Sequence, residues 1–190
     1  LQYVLVRFLG KGNDKAIPGR DGWLHFAPAL DYLSGPPFLH PEQLQVRATS
    51  HKLWEALVQP DPLPAIIAFK DELAARGIQL LVVPVPVKAA VQPDKVSGRA
   101  VPSPLANRSY QPFVQALEQG GVRIFDPRSV LAGYARQHGN AYLATDTHWL
   151  PGAMQAVAAE LAGVIGKDFP ELSGSGTFVA EPQQVRGQGD

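Results

Sequence analysis

Residues 64–86 read PAIIAFKDELAARGIQLLVVPVP, and this stretch decides the class of fold. Its first half has the spacing of an amphipathic helix over 64–76, which Gly77 ends. The apolar side chains available for a core are Ile66, Ile67, Phe69 and Leu73. The continuous apolar run over 78–86 predicts a strand that is covered on both faces. A helix, a glycine and a buried strand in this order are typical of an α/β domain.

The same alternation continues on both sides of this stretch. Upstream, GRDG at 19–22 predicts a tight turn before a short aromatic strand over 23–26, and a helix over 41–59 begins at Pro41. The downstream elements are a helix over 109–121, a strand over 122–127, a helix over 128–139, a short strand that begins at Tyr142, and a helix over 151–166. The length of 190 residues fits one domain, no internal repeat is present, and we expect residues 1–190 to form a single domain.

The composition fits a globular protein with its own core, since 45% of the 190 residues are hydrophobic and 18% are charged. The 17 basic and 17 acidic side chains give a formal net charge of zero, and no basic block is present. Nucleic acid is therefore not an expected partner. The absence of cysteine excludes thiol catalysis and cysteine-ligated metal within these residues. No apolar run in the sequence reaches the length of a membrane span.

The stretch ATDTHWLPGAM, residues 144–154, carries the chemistry that stands out. Asp146 and His148 lie two positions apart, after a predicted strand and before a predicted helix. A histidine can act as a general base near neutral pH, and a carboxylate on its other ring nitrogen fixes the tautomer. An Asp two residues earlier in a loop can supply that carboxylate. Trp149 adds a flat apolar surface that suits the face of a sugar ring.

Two other interpretations of the motif remain open. Asp146 or Thr147 can act as the N-cap of the helix that begins near Pro151, which would leave His148 as an ordinary surface residue. Asp-x-His can also supply two ligands of a phosphoesterase metal site. The remaining histidines show no paired-ligand spacing, so we expect no metal. They are His25, His40, His51 and His138.

A long polar segment over 87–108 follows the carboxyl end of the predicted strand over 78–86. In open α/β sheets, ligands bind at that edge. The segment is basic, and we expect Lys88 and Arg99 to contact an acidic or hydroxylated polymer. The basic residues of the segment are Lys88, Lys95, Arg99 and Arg108. The alternative is a solvated connection without a binding role.

Three motifs occur in order along the chain: IPGRDGWLHF at 17–26, LLVVPVPVKAAVQPDK at 80–95 and TDTHWLPGA at 145–153. Together they resemble the alginate O-acetyltransferase family of the AlgJ/AlgX type, within the wider SGNH-hydrolase-like superfamily. The resemblance covers roughly residues 10–165. It implies a flavodoxin-like, mostly parallel sheet with helices on both faces, and chemistry that needs no cofactor.

The resemblance also implies a Ser-His-Asp acyl transfer, with His148 as the base and Asp146 as its orienting carboxylate. Proteins of this family act in the periplasm of Gram-negative bacteria. They pass acetyl groups, received through a membrane-bound acyltransferase partner, to hydroxyls of an exopolysaccharide such as alginate. We therefore expect a polysaccharide substrate, a membrane-bound donor partner and a periplasmic location, with a tether to the inner membrane upstream of residue 1.

In the family, the nucleophilic serine lies downstream of Asp-x-His, in a Gly-Asp-Ser turn after an apolar strand. The chain ends in Gly189 and Asp190, but the residues at 181–188 are polar and do not predict a buried strand. We therefore expect residues 1–190 to be a single domain that is truncated before the nucleophile, with the fold incomplete at the C-terminus, the serine beyond residue 190 and the chain alone inactive. Two alternatives stay open: a carbohydrate acetylesterase that uses the same residues, and a non-catalytic polysaccharide-binding scaffold.

Overall fold

The computed structural model describes residues 15–50, 59–98 and 101–172. Within these ranges β1 pairs with β2 in an antiparallel sheet, and β3 pairs with β4 in a parallel sheet. The mixture of strands and helices agrees with the predicted α/β class. The elements are β1 (Ala16–Pro18), β2 (Leu24–Phe26), α1 (Ala27–Ser34), α2 (Pro41–Thr49), α3 (Pro62–Ala74), β3 (Leu81–Val82), α4 (Lys88–Val91), α5 (Asp94–Ser97), α6 (Tyr110–Gln119), β4 (Arg123–Ile124), α7 (Arg128–His138), α8 (Pro151–Asp168) and a 3₁₀ turn (Pro170–Leu172).

A tight turn joins β1 to β2, as the GRDG stretch predicts. Asp21 and Gly22 both adopt left-handed backbone conformations, with φ angles of 53° and 77°. Glycine and aspartate tolerate this region better than most residues, so the turn forms at low cost. The turn places Trp23 in the core, where the side chain is only 3% exposed.

The parallel pair of β3 and β4 is shorter than the apolar run over 78–86 predicts. The N–H of Phe125 extends the ladder by donating to the carbonyl of Val82 at 3.0 Å. Pro84 and Pro86 follow, and a proline has no N–H with which to continue a ladder. The structure therefore differs from the expected mostly parallel sheet with helices on both faces, because the described residues form only two-stranded sheets.

The core lies where α7 and α8, which pack against each other, meet the parallel strands. Leu81 and Val83 from the β3 segment pack against this cluster. Its buried members are Trp23, Val91, Phe125, Leu131, Ala132, Ala141, Tyr142, Ala153 and Val157. Ala141 and Tyr142 lie a few residues before Asp146, so the loop that carries the Asp-x-His motif starts from a well-packed part of the molecule. Across the described ranges, none of the helices combines the length and apolarity that a membrane span requires.

α3 begins two residues earlier than predicted because Asp61 caps it, with a carboxylate oxygen that accepts the N–H of Leu63 at 3.0 Å. Gly77 follows its last turn in a left-handed conformation, as expected of a helix-ending glycine. No side chain of α3 is buried, and Phe69 is 52% exposed. The prediction that Phe69 contributes to the core is therefore wrong for the described residues. The second half of the helix predicted from Pro41 falls on 51–58, outside those residues.

The segment over 87–108 is more ordered than a polar loop. It folds first into α4 and α5, and all four residues of α4 are buried. α4 contacts both α1 and α7. The interpretation of this segment as a solvated connection is therefore wrong for α4, which lies inside the molecule and underneath the loop that carries Asp146.

Candidate active site

Asp146 and His148 lie on a loop whose two ends are joined. An isolated antiparallel bridge pairs Tyr142 with Trp149. The hydroxyl of Tyr142, which is 2% exposed, donates to the carbonyl of Pro86 at 2.7 Å. This bond attaches the base of the loop to the segment that follows β3. The tip of the loop is consequently held at the carboxyl end of the parallel pair, which is the edge expected to bind ligands.

The carboxylate of Asp146 contacts His148 twice. One oxygen, Oδ1, lies 2.6 Å from the ring nitrogen Nδ1 and accepts the backbone N–H of His148 at 3.0 Å. The bond from the ring, and then the bond from the backbone N–H, hold the pKa of Asp146 below its usual value. A carboxylate at Nδ1 favours the tautomer with its proton on Nδ1, which leaves Nε2 as the basic nitrogen. The His148 side chain is 81% exposed, so Nε2 is open to an incoming hydroxyl.

The start of α8 excludes one interpretation of the motif. Its N-cap is Leu150, which is extended, with no side-chain cap, and Pro151 occupies the first turn. Neither Asp146 nor Thr147 caps the helix, so the helix-capping interpretation is wrong. The Asp146 carboxylate is engaged with His148 instead.

A pocket of about 360 Å³ opens beside the His148 ring. Phe26 and Val85 form part of its wall and are 46% and 69% exposed, so the pocket presents apolar surface beside His148. The apolar run that contains Val85 does not predict this wall, because such a run suggests complete burial. The alternation of proline and valine over 84–87 is the available signal, since such a segment stays extended without continuing a ladder.

Lys88 does not lie where a polymer-contacting side chain was expected. It is only 5% exposed, and its ammonium points into the protein beneath the Asp146 loop. The acceptors around Nζ are the carbonyls of Leu24 at 3.0 Å, Leu143 at 2.6 Å, Ala144 at 2.7 Å and Asp146 at 3.1 Å. Burial lowers the pKa of Lys88 to about 8, although the nearby Asp146 charge opposes that shift.

The other basic residues of the segment over 87–108, and Trp149, occupy different environments. Lys95 pairs with Asp21 at 3.2 Å, Arg108 is exposed, and Arg99 lies outside the described residues. Trp149 is partly buried and packs against the core cluster, which differs from the open platform expected for a sugar ring. The structure therefore brings Asp146 and His148 together, and places neither Lys88 nor Trp149 as a simple surface contact.

Several serine hydroxyls of the described ranges are engaged away from His148. Ser34, Ser50 and Ser103 donate to backbone carbonyls, and Ser109 accepts a backbone N–H. Ser173 and Ser175 fall outside those ranges. Among residues 15–50, 59–98 and 101–172, no three His, Asp or Glu side chains cluster as a metal site would require.

The α/β fold and the carboxylate-supported imidazole are features of the hydrolase-like class of α/β proteins. A family profile described as "SGNH hydrolase-like domain, acetyltransferase AlgX" matches residues 16–190. The chain belongs to this family, and the resemblance drawn from the three sequence motifs is confirmed.

Relatives of known name agree with that assignment. A protein of Pseudomonas aeruginosa named "Probable alginate O-acetylase AlgJ" is 30% identical over 169 residues, which cover 87% of this chain and 36% of the relative. Its namesake from Pseudomonas syringae pv. tomato is 26% identical, over 86% of this chain and 37% of the relative. The chain thus spans little more than a third of these relatives. The solved "O-Acetyltransferase Domain of Pseudomonas putida AlgJ" superposes with a TM-score of 0.59 at 28% identity, covering 84% of this chain and 50% of that one.

Proposed function

We propose that this chain carries the His-Asp half of an O-acetyltransferase that moves acetyl groups onto hydroxyls of an alginate-like exopolysaccharide. The observation that carries the proposal is the 2.6 Å contact between His148 Nδ1 and the Asp146 carboxylate, on a ring that is otherwise exposed beside a pocket. Membership of the AlgX family and similarity to proteins named alginate O-acetylase support the choice of reaction and substrate.

In the first step, Nε2 of His148 takes the proton from a serine hydroxyl, and the serine oxygen bonds to the acetyl carbon of the donor. The donor's leaving group departs with a proton from the imidazolium. In the second step, Nε2 takes the proton from a polysaccharide hydroxyl, whose oxygen attacks the acetyl carbon and displaces the serine. The serine oxygen then recovers the proton from the imidazolium. Asp146 keeps the ring in its tautomer and stabilises the imidazolium in both steps.

The serine belongs to a part of the protein that follows residue 190. This part of the proposal is supported by the hydroxyls of Ser34, Ser50, Ser103 and Ser109, which bond to backbone groups elsewhere. The pocket beside His148 is open at the carboxyl end of β3, where the reacting groups would meet. Its apolar wall would shield the acetyl methyl group from water.

The place of action proposed with this chemistry is the periplasm, with a membrane-bound acyltransferase as the source of acetyl groups and a tether at the amino end. These parts of the proposal rest on the family resemblance. Crosslinking between the protein and membrane acyltransferases in whole cells, followed by mass spectrometry, would test the partner. Recovery of the protein in the cytoplasmic fraction would contradict the location.

The reaction is tested with the longer protein that includes the residues after Asp190. We expect it to release acetate from a small acetyl ester and to add acetyl esters to a deacetylated alginate. His148→Gln should abolish both activities, whereas His138→Gln should retain them, because His138 lies at the end of α7 and stacks on Tyr134. Acetate release without polymer acetylation would indicate an esterase. Polymer binding without any turnover would indicate a scaffold, and either result would contradict the proposal.

A further inference from the structure

Lys88 has no hydrogen left to offer a substrate. Four carbonyl oxygens lie within 3.1 Å of its Nζ, whereas an ammonium has three N–H donors. The side chain is 5% exposed, so solvent hardly reaches it. A buried cation that donates its hydrogens to backbone carbonyls stabilises the protein backbone. The residues that supply those carbonyls show which segment it stabilises.

Three of the four acceptors belong to the loop that carries the candidate site. They are the carbonyls of Leu143, Ala144 and Asp146. The last is the backbone of the residue whose side chain contacts His148. A compact ammonium can bind several carbonyls that point inward from a tight loop. The carbonyl of Ala144 also accepts the N–H of Leu24 at 2.8 Å, so β2 and Lys88 hold the loop together. The fourth acceptor, Leu24 of β2, connects this loop to the β1–β2 hairpin.

The contacts of Lys88 also unite the three sequence motifs. Its ammonium lies 4.3 Å from the centroid of the Trp23 ring, which belongs to the GRDGW turn. Lys88 itself follows the PVPV segment. Its acceptors Leu143 and Ala144 directly precede the TDTHW motif, and its acceptor Asp146 belongs to that motif. These stretches are far apart in the sequence and meet around one charge. The position of that charge gives a physical reason for their occurrence in one chain.

We propose that Lys88 is a positioning residue, whose buried ammonium fixes the backbone of the 143–146 loop so that the Asp146 carboxylate meets Nδ1 of His148. The inference deepens the proposed function and rests on it. Lys88 touches no substrate in this scheme and acts through Asp146. Without the ammonium, the loop loses three of its inward bonds, and the carboxylate no longer holds the imidazole in one tautomer.

The test measures the His148 tautomer directly, by ¹⁵N NMR of histidine-labelled protein at a pH where the ring is neutral. In the wild type we expect the form with the proton on Nδ1. Lys88→Met should shift the ring towards the form with the proton on Nε2. Lys95→Met is the matched control, since Lys95 also lies over the Trp23 ring, at 5.7 Å, but pairs with Asp21. It should keep the wild-type tautomer.

Chemical rescue covers the case in which Lys88→Met does not fold. The chain contains no cysteine, so Lys88→Cys introduces a single thiol. Alkylation of that thiol with 2-bromoethylamine in denaturant, followed by refolding, rebuilds an ammonium at the same reach. We expect this to restore the fold and the Nδ1–H tautomer. A folded Lys88→Met protein with the wild-type tautomer, or an aminoethylated protein without it, would overturn the proposal.

Kinetics of the longer protein separate this inference from the proposed function. Lys88→Met should lower kcat by about 100-fold, the typical cost of misplacing a reacting group, with little change in KM. An unchanged kcat would overturn the inference. If the wild-type longer protein shows no acetyl transfer, but Lys88→Met still shifts the His148 tautomer, the positioning role holds and the proposed reaction is refuted.

Discussion

Two turns of the protein contain an aspartate two positions before a basic residue, and they share the same local geometry. Asp126 accepts the backbone N–H of Arg128 at 3.0 Å, and Asp146 accepts that of His148 at 3.0 Å. In both, the carboxylate also bonds to the side chain two positions later, at distances down to 2.6 Å. In both turns, a short loop thus places the aspartate carboxylate against the side chain two positions later.

The two turns differ in burial. The Asp126 and Arg128 side chains are 28% and 17% exposed, and the Arg128 guanidinium lies 3.8 Å from the centre of the Tyr110 ring. Burial alone would raise the pKa of Asp126, but the bonds from Arg128 outweigh it and hold that pKa low. His148, by contrast, is 81% exposed. The same turn is therefore an ion pair where it is covered, and it leaves one ring nitrogen free where it is open.

The largest expected effect is a loss of acetyl-transfer activity that occurs when the Asp146 turn is changed and not when the Asp126 turn is changed. Asp146→Asn in the longer protein should lower kcat for acetyl transfer by about 10³-fold, because the amide favours the wrong imidazole tautomer. Asp126→Asn should change the kcat of the folded protein by no more than a few-fold. The measurement is steady-state acetate release, with the folded fraction determined by circular dichroism. Equal losses in the two variants would show that the turns do not differ in role.

We expect the opposite order for stability, with the larger loss in Asp126→Asn. Asp126→Asn leaves a partly covered guanidinium without its charged partner, and we expect a cost of about 2 kcal/mol, between the values for surface and buried pairs. Asp146→Asn should leave the urea midpoint unchanged, since its carboxylate and His148 remain in contact with water. Urea denaturation of both variants at pH 7 checks this. A midpoint shift confined to Asp146→Asn would contradict the assignment.

Alkaline pH sharpens the comparison, because the exposed turn rests on the buried cation of Lys88. Burial lowers the pKa of Lys88 from 10.5 to about 8, with Asp146 opposing the shift. The folded protein therefore loses this proton first, and between these pH values the unfolded chain binds more protons. Stability contributed by this group rises with pH in that window, at no more than about 1.4 kcal/mol per unit.

The matched comparison for this effect is Lys88→Met. Between pH 8 and 9.5, the unfolding free energy of the wild type should rise by about 1 to 2 kcal/mol relative to the variant. The raised pKa values of Tyr110 and Tyr142 contribute with the opposite sign at higher pH, and the comparison with the variant removes that contribution because both proteins contain these tyrosines. A constant difference between the two proteins would show that the ammonium is not desolvated in the folded state.

The two turns also show what the sequence can and cannot predict. Asp146 and His148 were identifiable because both partners lie within three residues, in a loop between a strand and a helix. The Asp126 turn was not singled out, although its spacing is the same, because an arginine does not suggest a general base. What separates the two is burial, which depends on Tyr110 and on packing that local spacing does not reveal.

The burial of Lys88 was not predicted, for a similar reason. The segment over 87–108 is polar, and a lysine in it suggests an exposed side chain. Its acceptors are carbonyls from residues 64 positions earlier and 55 to 58 positions later, which only the folded chain brings together. The length of β3 was overestimated because apolar composition predicts burial, whereas ladder formation also needs the N–H groups that Pro84 and Pro86 lack.

The smallest effect concerns the middle residues of the turns. Pro127 is fully buried, whereas Thr147 is exposed and lies on the wall of the pocket beside His148. Thr147→Ala should change the unfolding free energy by less than about 0.5 kcal/mol and kcat by less than a few-fold, as is usual for an exposed side chain. Thr147→Ser is the control that keeps the hydroxyl. A tenfold loss of kcat in the alanine variant, with full activity in the serine variant, would show that this hydroxyl contacts the substrate, so that the open turn contributes two groups to the reaction.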